Sequence, residues 1–220
     1  MNIEKYRQIT QELDKYGAKL VAVSKTKPAE DIQALYNQGQ RIFGENKVQE
    51  MTAKHEQLPK DIQWHLIGHL QTNKVKYIAP YVSLIHSVDS LKLLQEIDKQ
   101  AEKNNRTIPC LLQVYIANED TKFGLSAEEV HTLLSSAEYQ ALQHISIYGL
   151  MGMATNTDDE QQIEAEFASL QQLHAEVKDK YFSHSDTFSQ LSMGMSSDYH
   201  LALKHGATLV RVGSLLFGER

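Results

Sequence analysis

The chain has 220 residues, which suits one domain with a large core, and α/β barrels often have this length as a single unit. Its formal net charge of −6 disfavours a polyanionic partner such as nucleic acid, because phosphate contacts need clustered Lys and Arg side chains. The single cysteine, Cys110, excludes an intrachain disulfide and a cysteine-rich metal site and is typical of a reducing cytoplasm.

The N-terminal segment predicts an amphipathic helix, because apolar side chains recur at helical spacing. These side chains are Ile3, Tyr6, Ile9, Leu13 and Tyr16. The segment is charged and lacks the apolar core of a signal peptide, and no later window offers about twenty uncharged apolar residues for a membrane span. We therefore expect a soluble, cytoplasmic protein.

Short β-rich runs then alternate with longer helical patterns, which is typical of βαβ units and a parallel sheet. We place eight strands, near Leu20–Ser24, Arg41–Phe43, Ile62–Ile67, Leu84–Ser87, Cys110–Ile116, Ile145–Leu150, Phe188–Ser192 and Leu209–Val212. Helix signals lie between them: Pro28 at a start, Gly39 and Gly206 past an end, and a capping box from Ser126 to Glu129. The pattern predicts the α/β class, with a TIM-like (β/α)8 barrel as a single domain over residues 1–220.

The predicted barrel lacks an outer helix after its last strand, because few residues follow Val212. One flank of the barrel would then be uncovered. We expect residues Asn2 to Tyr16 to pack into this gap between the last and first strands.

The first strand ends close to a lysine, Lys25, and Pro28 opens the next helix. A lysine at the rim of an apolar sheet is a Schiff-base candidate, because partial desolvation lowers the amine pKa and leaves a nucleophile for an aldehyde. Lys25 shares a strand face with Val21 and Val23, so it points into the mouth of the barrel if those valines fill the interior. The alternative is a lysine that only extends from the strand end into solvent.

The last two strands each run into a loop of small residues, one through Ser196 and the other through Gly213 and Ser214. Loops of this kind after the last two strands of a barrel commonly bind phosphate through backbone N–H and hydroxyl groups. Turn formation alone would explain either loop. Together with Lys25, the two loops predict a site for a phosphorylated aldehyde.

The sequence resembles the pyridoxal phosphate homeostasis protein family, which is related to the barrel domain of alanine racemase. The matching stretches are VAVSKTKP from Val21, FGENKVQE from Phe43, WHLIGHLQTNK from Trp64, KFGL from Lys122, GLMGMA from Gly149, LSMGMSSD from Leu191 and VRVGSLLFGER from Val210. They cover nearly the whole chain in a fixed order.

The resemblance implies that pyridoxal 5'-phosphate (PLP) is bound as an aldimine on Lys25. It also implies that Arg211 approaches the pyridine nitrogen, with Ser196, Gly213 and Ser214 around the phosphate and Asn46 as a further contact. An arginine only donates, so the ring nitrogen stays unprotonated and the ring is a weaker electron sink. A surface ion pair for Arg211 and a turn-forming role for Asn46 are the alternatives.

Other candidates carry less weight. Lys27, Lys74 and Lys122 lie in family-like motifs and could hold a second aldehyde or steer an anion, although a solvated surface position is the simpler interpretation of each. His65 and His69 are four residues apart, but they lie in a strand and its loop without the helix and glutamate of a zinc-protease motif. We expect no metal and assign the other histidines to surface and core.

Three functions fit these features. The first is a PLP carrier that maintains intracellular PLP, delivers it to apo-enzymes and has no catalytic residues. The second is an amino-acid racemase of the alanine-racemase type, which would need a second proton carrier from a partner subunit and a β-domain that we do not expect beyond Gly218. A regulatory binding module is the third. We favour the carrier and expect a monomer without nucleic-acid or membrane partners.

Overall fold

A computed structural model describes residues 1–117 and 123–218 as a closed barrel of eight parallel strands. The strands are β1 (Lys19–Val23), β2 (Ile42–Glu45), β3 (Gln63–Leu66), β4 (Leu84–Val88), β5 (Ile108–Gln113), β6 (Ile145–Met151), β7 (Gln190–Ser192) and β8 (Leu209–Val212). The helices are α1 (Ile3–Tyr16), α2 (Ala29–Asn37), α3 (Val48–Gln57), α4 (Val75–Ile78), α5 (Leu91–Lys103), α6 (Ala127–Ser135), α7 (Ala137–Gln140), α8 (Glu160–Phe182), α9 (Tyr199–Lys204) and α10 (Ser214–Phe217), with a 3₁₀ turn at Thr72–Lys74.

The predicted α/β barrel is confirmed, because each strand pairs in parallel with its neighbours and β8 closes the sheet onto β1. The predicted capping box is present, since Ser126 and Glu129 exchange hydrogen bonds at the start of α6. Some boundaries were wrong. β5 ends at Gln113 and not at Ile116, and Val114 keeps only an isolated bridge to Leu125. β2 extends through Glu45, two residues beyond its predicted end at Phe43.

The barrel interior contains a small apolar cluster and buried polar side chains, which are His65, His86, Ser192 and Arg211. The cluster consists of Val21, Leu84, Leu111, Met151 and Leu209, and Val21 is one of the two valines predicted to fill the interior. A larger apolar core lies between the strands and the outer helices. The closed parallel barrel also brings the carboxyl ends of all eight strands to one rim.

Helix α1 lies against β1 and against α10, the short helix directly after β8. Asn2 caps it by accepting the Lys5 N–H at 2.9 Å, and its own backbone N–H donates to the Leu216 carbonyl at 2.7 Å. The predicted packing beside the first strand is confirmed. On the side of the last strand the contact is with α10, so the expectation that no helix follows that strand was wrong: a helix of four residues forms there. The predicted apolar stripe stops early: Tyr16 is 54% exposed, because the chain turns away at Gly17, whose φ is +67°.

In the described part of the chain, no helix is both long enough and apolar enough to cross a membrane.

Candidate functional site

One cavity of about 770 Å³ opens at the rim formed by the strand ends. It brings together all six residues that the sequence analysis singled out, which are Lys25, Asn46, Ser196, Arg211, Gly213 and Ser214. They come from the ends of β1, β2, β7 and β8. The cavity therefore collects side chains that are up to almost the whole chain apart.

Lys25 follows β1 by two residues and is half-buried in the cavity wall. Ser24 continues the sheet without belonging to the strand, since its N–H donates to the Gly44 carbonyl at 3.0 Å. Val21 fills the barrel interior, and Val23 and Lys25 line the cavity above it. Lys25 thus lies at the barrel mouth, on the side that strand parity predicts.

A buried charged cluster lies beside Lys25, and the sequence analysis did not identify it. The Lys54 ammonium group donates to Glu45 Oε1 at 2.6 Å, to Glu50 Oε1 at 2.7 Å and to the Ser24 carbonyl at 2.8 Å. The Ser24 hydroxyl donates to the same Glu45 oxygen at 2.7 Å. Burial raises the pKa of Glu45, and the bonds to Lys54 oppose that shift. The cluster fixes the residue that precedes Lys25.

The residue after Lys25 is fixed as well. Thr26 has a φ of +66°, a conformation that a β-branched residue rarely adopts, and its N–H donates to Glu50 Oε1 at 2.6 Å. The Lys27 N–H donates back to the Ser24 carbonyl at 3.0 Å, and Lys27 Nζ donates to the Phe217 and Gly218 carbonyls at 3.2 Å. Lys25 therefore sits in a turn held from both sides.

The two loops of small residues meet at one side of the cavity. The Gly213 N–H donates to Ser196 Oγ at 3.3 Å, which joins the loop after β7 to the loop after β8. A Cβ on Gly213 would lie 3.2 Å from the Val23 carbonyl oxygen, so this glycine permits the close approach of the β8 loop to the end of β1. Ser214 is exposed and Ser196 half-buried, and both hydroxyls border the cavity.

Arg211 forms part of the cavity wall and is only 5% exposed. Its Nη1 donates to Ser192 Oγ at 2.6 Å and its Nη2 to the Gly152 carbonyl at 3.0 Å. Both acceptors are neutral. Burial lowers the pKa of Arg211 to about 10, while the Asp198 carboxylate acts to raise it. The guanidinium stays charged at neutral pH.

Two histidines extend this network into the barrel. His86 Nδ1 lies 2.9 Å from Ser192 Oγ, and His86 Nε2 lies 2.9 Å from His65 Nδ1. Burial, with a contribution from Lys19, lowers the pKa of His65 to about 3. Burial, followed by the electrostatic effects of His65 and Arg211, lowers the pKa of His86 well below its usual value. From the sequence, His65 was placed in a strand and weighed only as a metal ligand, and His86 was assigned no role. A polar residue at an inward strand position is the signal that could have found them.

The remaining candidates separate in space. Asn46 follows β2 and lines the cavity, and Gly68 packs so closely against its backbone that a Cβ there would overlap it. His69 is exposed and pairs with Asp89 at 3.3 Å, whereas His65 is inside the barrel. Among residues 1–117 and 123–218, no group of three or more His, Cys, Asp or Glu side chains could hold a metal ion.

The candidate lysines also differ from one another. Lys74 lies on the 3₁₀ turn, 5.7 Å from the Tyr77 ring, whereas Lys27 borders the cavity. Lys122 lies outside the described residues.

The residues of the cavity fit PLP by chemistry and by size. PLP presents an aldehyde, a ring nitrogen that accepts, and an anionic phosphate, and the cavity offers an amine, a buried guanidinium and a set of hydroxyl and N–H groups. About 16 non-hydrogen atoms at roughly 30 Å³ each, the share of a water molecule in the liquid, need about 480 Å³. The cavity is larger than this.

The fold and site define a (β/α)8-barrel protein with a lysine after β1 and a buried arginine on β8. Residues 2–220 match the family described as alanine racemase, N-terminal domain. The chain belongs to that family. It is 42% identical over 205 residues to the pyridoxal phosphate homeostasis protein of Aquifex aeolicus, an alignment that spans 92% of this chain and 87% of the relative. The resemblance noted in the sequence is thereby confirmed.

Solved structures show the same barrel over nearly the whole chain. PipY of Synechococcus elongatus without PLP has a TM-score of 0.90 at 37% identity, and its PLP-bound structure has a TM-score of 0.87 at 36% identity; each comparison covers 98% of this chain and 99% of PipY. Alanine racemase of Bartonella henselae, at 17% identity and a TM-score of 0.69, shares the fold over 98% of this chain and 57% of its own.

Proposed function

We propose that this protein binds PLP in the cavity, holds it covalently on Lys25 and serves PLP homeostasis. The observation that carries the proposal is the convergence of Lys25, Arg211 and the joined Ser196 and Gly213 loops on one cavity. Relatives at 42% identity that are named pyridoxal phosphate homeostasis proteins support it, as does PipY, solved with PLP bound.

Lys25 supplies the amine in this assignment. Its Nζ would hold PLP through the aldehyde carbon, by a C=N bond formed with loss of water. PLP itself supplies an electron-withdrawing ring when bound. The turn from Ser24 to Lys27, held by Lys54 and Glu50, presents the amine at a fixed place in the wall.

The other residues orient the ligand. The Arg211 guanidinium would donate to the ring nitrogen and keep it unprotonated, which would weaken the ring as an electron sink. Ser196 Oγ accepts the Gly213 N–H and keeps its own hydrogen to donate to a phosphate oxygen, and Ser214 would add a second hydroxyl. Asn46 contributes its side-chain amide from the β2 side.

The protein acts as a carrier without turnover in this proposal and passes PLP to apo-enzymes. Racemisation needs proton carriers on both faces of the substrate and a site closed to water. In the described part of the chain, two residues that line the cavity are exposed, Phe123 at 65% and Met153 at 39%, and neither closes the site to water. The likeness to racemases at 17% identity concerns the fold alone.

A borohydride experiment tests the ligand and the site together. PLP-loaded protein is reduced, digested and mapped by mass, with Lys25→Ala and the control Lys74→Ala treated in parallel. We expect the reduced PLP label on Lys25. Lys25→Ala should lose the absorbance band of the PLP–lysine Schiff base while the fold stays intact, and Lys74→Ala should keep both the band and the label. A label on Lys27 in the native protein would show that the site assignment is wrong.

A second assay addresses the activity. The loaded protein is mixed with an apo PLP enzyme, and separately with L-alanine and other common amino acids. We expect the apo-enzyme to regain activity and the amino acids to keep their optical rotation. Racemisation at ordinary enzyme rates of about 1–1,000 per second would overturn the carrier proposal.

A further inference from the structure

A continuous chain of buried polar side chains runs from the cavity into the barrel interior. It starts at Arg211 on β8 and passes through Ser192 on β7 and His86 on β4 to His65 on β3. The three contacts measure 2.6, 2.9 and 2.9 Å, and the four residues are at most 5% exposed. Four strands of the barrel therefore contribute to one hydrogen-bonded line.

The direction of each bond follows from the arginine. A guanidinium has donors only, so Ser192 Oγ accepts from Nη1. His86 Nδ1 is the other side-chain group within hydrogen-bond distance of Ser192 Oγ among the described residues, so we assign the serine hydrogen to that contact. The His86 proton is then on Nε2, which donates to His65 Nδ1. Every bond in the chain runs away from Arg211, and both histidines are neutral.

We propose that Ser192 and His86, supported by His65, are positioning residues that hold the Arg211 guanidinium in one orientation toward the ring nitrogen of the bound cofactor. This inference rests on the proposed function. Nη1 is anchored on Ser192 and Nη2 on the Gly152 carbonyl, so two points fix the guanidinium plane. His86 takes the serine hydrogen, so the hydroxyl cannot rotate and its lone pair stays turned to Nη1.

Neutral anchors have a chemical consequence. A carboxylate at hydrogen-bond distance would hold the guanidinium equally well, but it would also satisfy most of its charge. Here both hydrogen bonds that Arg211 makes within the described residues end on uncharged oxygens. The Asp198 carboxylate acts on the guanidinium electrostatically but accepts neither of these bonds. The remaining charge can act on an acceptor that enters the cavity, which suits the lone pair of a pyridine nitrogen.

The fold supplies a matched control. Ser87 lies on β4 beside His86 and is equally buried, but its Oγ has no hydrogen-bond partner among the described residues. Ser87→Ala and Ser192→Ala thus remove the same atom from two fully buried positions, and only Ser192→Ala breaks the chain of hydrogen bonds. His86→Asn against His86→Leu is a second pair, because the asparagine oxygen can still accept the serine hydrogen and leucine cannot.

The experiment measures the ¹⁵N chemical shift of the ring nitrogen in protein loaded with ¹⁵N-labelled PLP, together with PLP affinity and borohydride labelling. We expect Ser192→Ala and His86→Leu to move the ring shift and to weaken PLP binding about tenfold, the scale of one hydrogen bond to a charged group. Ser87→Ala should match the native protein. His86→Asn keeps the bond to Ser192 and loses the contact with His65, so its ring shift and PLP affinity should lie closer to the native values than those of His86→Leu. The label should stay on Lys25 in all variants.

The inference is overturned if Ser192→Ala leaves shift and affinity as in Ser87→Ala, or if His86→Leu and His86→Asn behave alike. If Ser192→Ala does not fold, the His86 pair decides alone. A native protein in which borohydride places no label on Lys25 would instead contradict the proposed function, so the two failures are distinguishable.

Discussion

The Lys54 ammonium nitrogen lies 2.8 Å from the Ser24 carbonyl oxygen, so a side chain of α3 holds the residue directly before Lys25. The same ammonium group pairs with Glu45 and Glu50, and Glu50 in turn accepts the N–H of Thr26. The backbone on both sides of Lys25 is thus tied to one charged cluster. This arrangement makes the cluster part of the support of the site.

Removing the Lys54 charge from this cluster should lower the stability of the protein. Lys54→Met leaves the fully buried Glu45 carboxylate without its cation, and we expect the free energy of unfolding to fall by about 3–5 kcal/mol at pH 7, as measured by urea denaturation. The matched control is Lys204→Met, which breaks an exposed pair with Glu164 and should cost at most about 1 kcal/mol. Equal losses in the two variants would contradict the support role.

The left-handed backbone at Thr26 predicts that glycine stabilises the protein more than alanine at this position, the reverse of the usual order in a helix. A glycine adopts a φ of +66° without a steric penalty, whereas alanine keeps a Cβ, so Thr26→Gly should be more stable than Thr26→Ala by about 1 kcal/mol. On the exposed face of α3 the usual order should hold, and Ala53→Gly should destabilise by about 0.5–1 kcal/mol. Thermal denaturation of the three variants checks the prediction; an alanine variant at 26 that is the more stable would refute it.

The phosphate side of the site can be tested without touching Lys25. The double variant Ser196→Ala with Ser214→Ala should weaken PLP retention by about 1–3 kcal/mol, the scale of hydrogen bonds to a charged group. Equilibrium dialysis measures it. Ser185→Ala, on the loop before β7 at the opposite end of the barrel, should change nothing. Unchanged affinity in the double variant would place the phosphate elsewhere.

Helix α1 should contribute strongly to stability. Leu13 is fully buried in the core, so Leu13→Ala should cost about 2–5 kcal/mol, while Tyr16→Ala, one turn further at an exposed position, should cost little. Deleting residues 2–16 should expose apolar surface of β1 and α10 and lower the melting temperature markedly. A truncated protein with an unchanged melting temperature would show that the helix is dispensable.

Acid should destabilise the fold through its buried histidines. Burial lowers the pKa of His174 to about 4, and its Nε2 is buried without a partner among the described residues. An unfolded histidine titrates near about 6.5, so the unfolded chain binds more protons below that pH, and stability falls as the pH drops toward 4.

The variant His174→Phe removes this titration and preserves the ring stacking on Phe188. We expect its stability loss between about pH 6.5 and pH 4 to be smaller than that of the native protein by about 1–3 kcal/mol. Urea denaturation at several pH values measures the difference. Parallel pH profiles for the two proteins would assign the acid sensitivity to other groups.

The amino-acid sequence by itself determined the barrel and the main residues of the cavity. Strand periodicity and helix signals are local properties, so eight strands could be placed, with most boundaries displaced by one to three residues. Parity along a strand is local too, and it directed Lys25 to the inside of the barrel mouth, where the family resemblance also placed Arg211. Because a parallel barrel gathers all strand ends at one rim, the topology then implied that these residues meet.

Only the tertiary structure decided which residues support Lys25 and Arg211. The bonds of the polar chain join residues 21, 106 and 19 positions apart, and the contact of Lys54 with Ser24 spans 30 positions. No local pattern encodes such pairs, since each partner taken alone is an ordinary polar residue in a strand or helix. Closure of the sheet excludes water from the barrel interior, and burial then forces His65, His86 and Ser192 to satisfy one another and the Arg211 guanidinium.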